Sequence, residues 1–460
     1  MTDTLIESAE GAIPVTPITE SGFIDWIAEQ SPALQGWTAT TGFEGKAGTI
    51  SLVAGPGGAL DRVLFGIPER PTLWDWAPLA AELPVGAYAI DGALRADQAG
   101  DLALAWCLAQ YRFDRYKTND KARPTLVAPA GTDLIAARRT ARFTNLVRDL
   151  INTPAADMGP DSLAAAAISL ATEYGAECQV TVGDELIRDN YPAIHAVGRA
   201  NDRAPRLIDI RWGDPAARKV TLVGKGVCFD TGGLDIKAAS GMKLMRKDMG
   251  GGAHVLGLAG MIMDAALPVR LRVLVPAVEN SIAANAMRPG DIVMTRKGLT
   301  IEIDNTDAEG RVILADALAD AASETPEAIV DFATLTGAAR VALGPEVPAL
   351  FCNDDAFADA LLAAADASTD PLWRMPLWPG YVKMVKGKFA DLTNSPEGGL
   401  GGSITAALFL EHFVTPEIPW AHIDLMAWNP SNRPGRPEGG EAMGMRSVFR
   451  ALVNRFGADT

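Results

Sequence analysis

The chain has 460 residues, 48% of them hydrophobic and 21% charged, enough apolar material for a large buried core and too much for disorder. Its 41 basic residues against 57 acidic ones give a net charge of −16, which argues against nucleic acid or an anionic membrane as the main partner, since both demand a basic face. Cys107, Cys178, Cys228 and Cys352 lie far apart without CxxC spacing, a pattern that makes neither a zinc ribbon nor a disulfide framework and fits a reducing compartment.

At this length two domains are the default expectation. Met1 to Ile13 carries Asp3, Glu7 and Glu10 and lacks the basic and apolar regions of a signal peptide. No run reaches the ~18 apolar residues of a membrane span. A cytoplasmic location is expected. The first ~140 residues mix apolar runs (Gly48–Val53, Arg62–Ile67, Thr125–Ala128) with a helical stretch at Asp101–Tyr111, which reads as a small α/β domain without recognisable chemistry. Residues Thr140–Asn152 read as a helix that stops at Asn152-Thr153-Pro154. Asp161 or Ser162 is the expected cap of an Ala-rich helix running to about Tyr174.

A domain boundary near residue 150 divides the chain into 1–150 and 151–460. Beyond it β-branched runs occur at Arg206–Arg211, Lys219–Cys228, Leu271–Val278, Thr300–Ile303, Ala328–Phe332 and Ala421–Leu425. Helical patterns at His254–Ala266 and Val312–Ala322 lie between several of them. This alternation predicts a second, larger α/β domain with a central mixed, mostly parallel sheet and helices on both faces. Ligands bind such sheets beyond the carboxyl ends of the strands.

Three stretches near strand ends carry acids beside glycines. They are Val223-Gly224-Lys225-Gly226-Val227-Cys228-Phe229-Asp230-Thr231-Gly232-Gly233 with Lys237 close by, Met245-Arg246-Lys247-Asp248-Met249 before three glycines, and Asn305-Thr306-Asp307-Ala308-Glu309-Gly310-Arg311. An extended backbone through the third would put Asp307, Glu309 and Arg311 on one face. Carboxylates so close repel unless cations hold them together, and paired divalent metals bridged by Asp and Glu are a common answer in hydrolases. A lone Asp-x-Glu after a strand is ordinarily a cap or a solvated turn; three such turns in one domain point beyond that. A phosphate loop does not fit, because Gly226 follows Lys225 where GxxxxGK[ST] needs Ser or Thr. The histidines His195, His254, His412 and His422 are scattered and form no HExxH pair.

These stretches resemble the signatures of the leucyl aminopeptidase family of dinuclear metallopeptidases, above all the heptapeptide Asn305 to Arg311. Arg288-Pro289-Gly290-Asp291, Ala333-Thr334-Leu335-Thr336-Gly337-Ala338 and Gly401-Gly402-Ser403 match it too. The resemblance covers Asn152 to the carboxyl end and is weak before it. It implies that Lys225, Asp230, Asp248, Asp307 and Glu309 ligate two divalent ions, Zn²⁺ or Mn²⁺ and possibly Mg²⁺. A ligand lysine must be neutral, so the cations would have to depress the pKa of Lys225. Lys237 would stabilise the oxyanion, and Arg311 would hold a bicarbonate that relays a proton from the metal-bound water. Met245 and Thr334 would line the pocket for an apolar, Leu-like first residue. The resemblance also implies short peptide substrates and a homohexamer. Two other readings stay open at this point: a non-catalytic scaffold that keeps the fold, and another two-metal hydrolase such as a phosphoesterase.

Overall fold

The computed structural model describes residues 4–457. Two compact units emerge, one formed by residues up to Asn145 together with Ser431–Glu438, the other by Leu146–Pro430 and the residues from Gly439 on. Cys107, Cys178, Cys228 and Cys352 are all free thiols. No helix among the described residues is long and apolar enough to cross a membrane.

The amino-terminal unit is built on six strands in the order Leu5–Ile6, Thr125–Val127, Ala87–Ile90, Ile13–Ile18, Leu60–Gly66 and Ile50–Ala54. All neighbours are parallel except the last pair. The helix Ala96–Ala109 buries Leu102, Ala105, Trp106 and Leu108. The indole of Trp106 donates to the Thr4 carbonyl at 3.0 Å, which satisfies the polar end of a fully buried ring. Ser431–Glu438 packs here too. Gly435, at φ +72, brings its backbone so close to Trp74 and Ala77 that a Cβ would lie 3.0–3.1 Å from them, and the Arg436 guanidinium lies 4.5 Å from the Trp74 ring centre.

The larger unit is organised by a nine-stranded sheet. Its central strands, Val269–Asn280, Arg218–Gly224, Ala328–Ala333 and Trp420–Asp424, are parallel to one another. Antiparallel pairs flank them: Arg206–Trp212 beside Val269–Asn280, Glu177–Val182 beside Arg206–Trp212, and Ala349–Cys352 beside Trp420–Asp424. The sheet is therefore mixed and mostly parallel at its centre, with buried β-branched runs as a doubly covered sheet requires.

Several details depart from the sequence expectation. The run Thr300–Ile303 contributes Thr300–Glu302 to a separate three-stranded sheet with Ile292–Met294 and Leu392–Thr393, because local patterning carries no information about which sheet a strand joins. The Ala-rich helix spans Pro160–Glu173 with Gly159 at its N-cap and no side-chain cap. Pro160 at the first helical position needs no donor satisfied there, so Asp161 and Ser162 lie inside the helix. The single run Lys219–Cys228 is two strands, Arg218–Gly224 and Gly226–Asp230, separated at Lys225.

Helix Gly250–Asp264 is buried from Gly250 through Met263, which its apolar composition on every side demands. Within it His254 is fully buried and stacks on Phe332 with ring centres 5.4 Å apart. Its Nε2 accepts from the Met443 N–H at 2.9 Å, so Nδ1 carries the proton and donates to Gly250 O at 2.6 Å. Burial lowers the His254 pKa to about 4. The sign follows directly: the unfolded imidazole takes a proton near its ordinary pKa of ~6.5 and the folded one resists. This residue's contribution to stability is thus complete above pH ~6.5 and is lost as pH falls toward 4, by about 3 kcal/mol in all. Urea midpoints measured from pH 7 to 4.5 should fall less steeply in His254→Gln than in the parent; parallel slopes would refute this.

Candidate metal centre

The site forms where Lys225 interrupts the sheet. Up to Gly224 the strand pairs with both Val269–Asn280 and Ala328–Ala333. Beyond the break, Gly226–Asp230 pairs only with Val269–Asn280 among these, so the sheet opens at the carboxyl ends of its central strands. The Lys225 N–H bonds Phe332 O at 3.0 Å and its carbonyl accepts from Gly252 N at 2.7 Å. The amino end of helix Gly250–Asp264 fits against this break because its first residues lack side chains: a Cβ on Gly251 would lie 2.0 Å from Phe332 O and one on Gly250 2.5 Å from the Ala427 Cβ.

The Lys225 side chain enters the opening, only 3% exposed. Its ammonium lies 2.7 Å from Asp248 Oδ2 and 3.0 Å from Glu309 Oε1, and donates to Thr334 O at 3.2 Å. Asp248 sits on the 3₁₀ turn Met245–Met249, and its Oδ1 accepts from the Thr334 hydroxyl at 2.8 Å. Asp230 ends its strand. Its Oδ1 accepts from Gly232 N and from Asn280 Nδ2, both at 2.8 Å, and its Oδ2 pairs with Lys237 at 2.8 Å. Lys237 also pairs with Asp307. It reaches both because Gly232, at φ +88, turns the chain back, and a Cβ there would lie 2.5 Å from Asp235 O.

The heptapeptide 305–311 is pinned to this loop. Thr306 N donates to Asp235 Oδ2 at 2.7 Å, the Thr306 hydroxyl donates to Gly232 O at 2.6 Å, and Asn394 Oδ1 accepts from Asp304 N and Asn305 N. The extended face expected for Asp307, Glu309 and Arg311 does not exist: Glu309 opens the helix Glu309–Ser323 and Asp307 lies in the turn before it. The helix start nonetheless turns Glu309 inward, at a terminus whose dipole favours an acid.

One oxygen each from Asp230, Asp307 and Glu309 lie within 4.8 Å of one another. Burial and repulsion from Asp230 push the Asp307 pKa up to about 6. Burial and Asp230 push Glu309 to about 8, Lys225 only partly opposing them. Burial also opposes charge on Lys225, but Asp248, Glu309 and Asp230 outweigh it and hold it an ammonium, above the ordinary lysine range. Desolvation likewise acts against ionised Asp248, and Lys225 and Lys247 overcome it, leaving its pKa lowered. Four carboxylates thus face two paired lysines, and Asp230, Asp307 and Glu309 still crowd one another. Glu309 Oε2, wholly buried, has no hydrogen-bond partner among the described residues. A buried carboxylate oxygen left unbonded is costly. Oxygen donors crowded in this way, with one orphaned, fit hard or borderline divalent cations.

The structure brings all nine sequence-selected residues into one neighbourhood of the sheet. Lys225, Asp230, Lys237, Met245, Asp248, Asp307 and Thr334 line a cleft of about 200 Å³; Glu309 is buried against Lys225. Arg311 is 8% exposed, its Nε without a hydrogen-bond partner among the described residues, and burial lowers its pKa to about 10 despite Asp424 and Glu309. Thr334 has its hydroxyl committed to Asp248. Sequence reasoning misses Asn280, which orients Asp230, and Asp235, which holds Thr306, because neither stands in a motif. Lys247 and Arg340 also line the cleft; Lys247 stands inside a quoted motif, where its neighbours drew all the attention. Burial lowers the Lys247 pKa to about 8.

Residues 145–449 match the family described as "Cytosol aminopeptidase family, catalytic domain", and residues 13–129 match "M17 aminopeptidase, N-terminal domain". The chain is 39% identical over 440 residues to a probable cytosol aminopeptidase of Prochlorococcus marinus, covering 90% of each chain. Among solved structures it is similar to the cytosol aminopeptidase of Coxiella burnetii, with 50% identity, a TM-score of 0.95 and 98% of each chain covered. It is also similar to the bottromycin maturation enzyme BotP in complex with Mn, with 31% identity, a TM-score of 0.88, and 97% of this chain and 100% of that one covered.

Proposed function

The chain belongs to the cytosol aminopeptidase family, a family of metal-dependent peptide-bond hydrolases, and on that premise we propose that it releases apolar, Leu-like amino-terminal residues from short peptides with two divalent ions. The observation that carries the two-ion reading is the crowded group of Asp230, Asp307 and Glu309, with Asp248 and Lys225 beside it. Lys225, Asp230, Asp248, Asp307 and Glu309 would hold the ions. When bound, such a pair activates water, polarises the scissile carbonyl and takes up a free amine. Zn²⁺ and Mn²⁺ both suit the donor set, as does Mg²⁺; the complex of BotP with Mn favours manganese.

The remaining roles fall to the chain's own side chains. Lys237 is 15% exposed at its side chain and lies between Asp230 and Asp307, from where its ammonium stabilises charge developing on the carbonyl oxygen. Arg311, a buried guanidinium without an ion pair among the described residues, is suited to hold bicarbonate, which would supply the base that no cleft histidine provides. Thr334 fixes the orientation of Asp248, and Met245 offers an apolar wall to the first side chain. The catalytic part is the region 151–460, with 1–150 contributing none of the named residues. A homohexamer working in the cytoplasm completes the reading.

Chelator-stripped protein should be inactive on leucine p-nitroanilide and recover activity with Mn²⁺ or Zn²⁺. Absence of activity with every metal, on Leu, Met and Cys-Gly substrates alike, would overturn it.

A further inference from the structure

Two cations in the cleft have no task in this scheme. Lys247 is 4% exposed, and its ammonium forms no hydrogen bond or ion pair among the described residues. A charge held out of water without a direct partner is costly. Arg340, in the last turn of helix Gly337–Leu343, is equally unpaired and is exposed. Both line the same cleft as Asp230, Asp248 and Asp307. The Arg340 charge acts against that of Lys247, and Asp248 and Asp424 act for it.

Of the two acids whose charge reaches Lys247, Asp248 pairs with Lys225 and Asp424 is committed to backbone and hydroxyl donors. Asp424 accepts from Leu335 N at 2.9 Å, Thr336 N at 3.1 Å and the Thr336 hydroxyl at 2.6 Å. Lys225 and Lys237, by contrast, are each engaged by two carboxylates. In a chain of net charge −16, two cations in one small cleft without a direct ion pair among the described residues suit a ligand that brings its own negative charge.

We propose that Lys247 and Arg340 form a carboxylate-recognition subsite, and that the preferred substrates are peptides short enough to place a carboxylate there, dipeptides with a free carboxyl terminus above all. The proposal rests on the aminopeptidase reading. A dipeptide is a zwitterion, and the cleft is its electrostatic complement: carboxylates at the part that takes the amine, unpaired cations at another. Lys247 supplies a charge-assisted bond from a desolvated position, and Arg340 supplies a planar fork at the rim.

The test compares Leu-Gly with Leu-Gly-amide at pH 7 for the metal-loaded parent, Lys247→Met and Arg340→Gln, with bound metal measured in each. The parent should prefer the free acid. Its ratio of kcat/KM values, acid over amide, should fall roughly tenfold or more in Lys247→Met and about threefold in Arg340→Gln, chiefly through KM. An unchanged ratio, or an equal fall on both peptides with loss of metal, overturns the proposal, the latter making Lys247 a support for Asp248 alone. If the variants instead lose a preference for Leu-Asp-amide over Leu-Asn-amide, the subsite stands and the carboxylate it reads belongs to a side chain. A parent inactive on all these peptides with every metal sinks the aminopeptidase reading itself, before any variant is compared.

Discussion

Replacing Glu309 with Gln should lower peptidase activity at least about 100-fold and reduce bound metal per chain at the same time. The substitution keeps volume and shape, so a fully buried residue at the start of helix Glu309–Ser323 need not repack. What changes is charge: one of four crowded carboxylates is lost, together with the oxygen that has no partner among the described residues. Where Glu309 is ionised the same change relieves repulsion within the polypeptide, so above pH 8 the chelator-stripped variant should melt at or above the temperature of the chelator-stripped parent. Opposite movement of activity and metal-free stability separates a ligand from a structural acid. Full activity with a normal metal content would falsify the placement of Glu309 in the centre.

Gly310→Ala should be nearly as damaging through a different route. The backbone at Gly310 is ordinary helix, and alanine there is favoured by about 1 kcal/mol on propensity alone. Space decides against it. The added Cβ would lie 2.5 Å from Lys225 Cε and 2.7 Å from its Nζ, and Lys225 is confined by Asp248, Glu309 and the Thr334 carbonyl. Overpacking of this kind costs about 1–3 kcal/mol, leaving net destabilisation of roughly 0–2 kcal/mol once propensity is counted. Displacing the amine should also cut activity roughly 10- to 100-fold. Thermal melts and metal titrations check both halves. Parental affinity for metal in a folded variant would remove Lys225 from the ligand set.

Much of this centre was legible in the sequence because its acids stand in short motifs beside glycines, and the glycines have a spatial reason that survives in the primary structure. Gly250 and Gly251 let a helix approach the strand break, and Gly310 clears the Lys225 side chain. The two-domain α/β plan was legible for a similar reason, since buried parallel strands read as continuous apolar runs. The break at Lys225 was not, because Lys219–Cys228 shows no change of pattern where partner strands diverge. The strand Ile13–Ile18 went unseen because Pro14 and Pro17 speak against a strand, yet it lies inside its sheet between two parallel neighbours. Asn280 and Asn394 were beyond reach for a third reason: each orients part of the centre from a segment distant in the chain, and distance in three dimensions leaves no mark on spacing.

The placement of Ser431–Glu438 bears on how the protein can be dissected. This octapeptide is encoded in the carboxyl-terminal half but folds with the amino-terminal unit, where Gly435 and Arg436 rest on Trp74. No single cut in the gene therefore separates the two units. A fragment starting at Leu146 would carry the octapeptide without its tryptophan, and a fragment stopping at Asn145 would leave that indole uncovered. An excised catalytic half needs a second edit, a short linker from Pro430 to Gly439, and the amino-terminal half needs the octapeptide supplied as an appended tail.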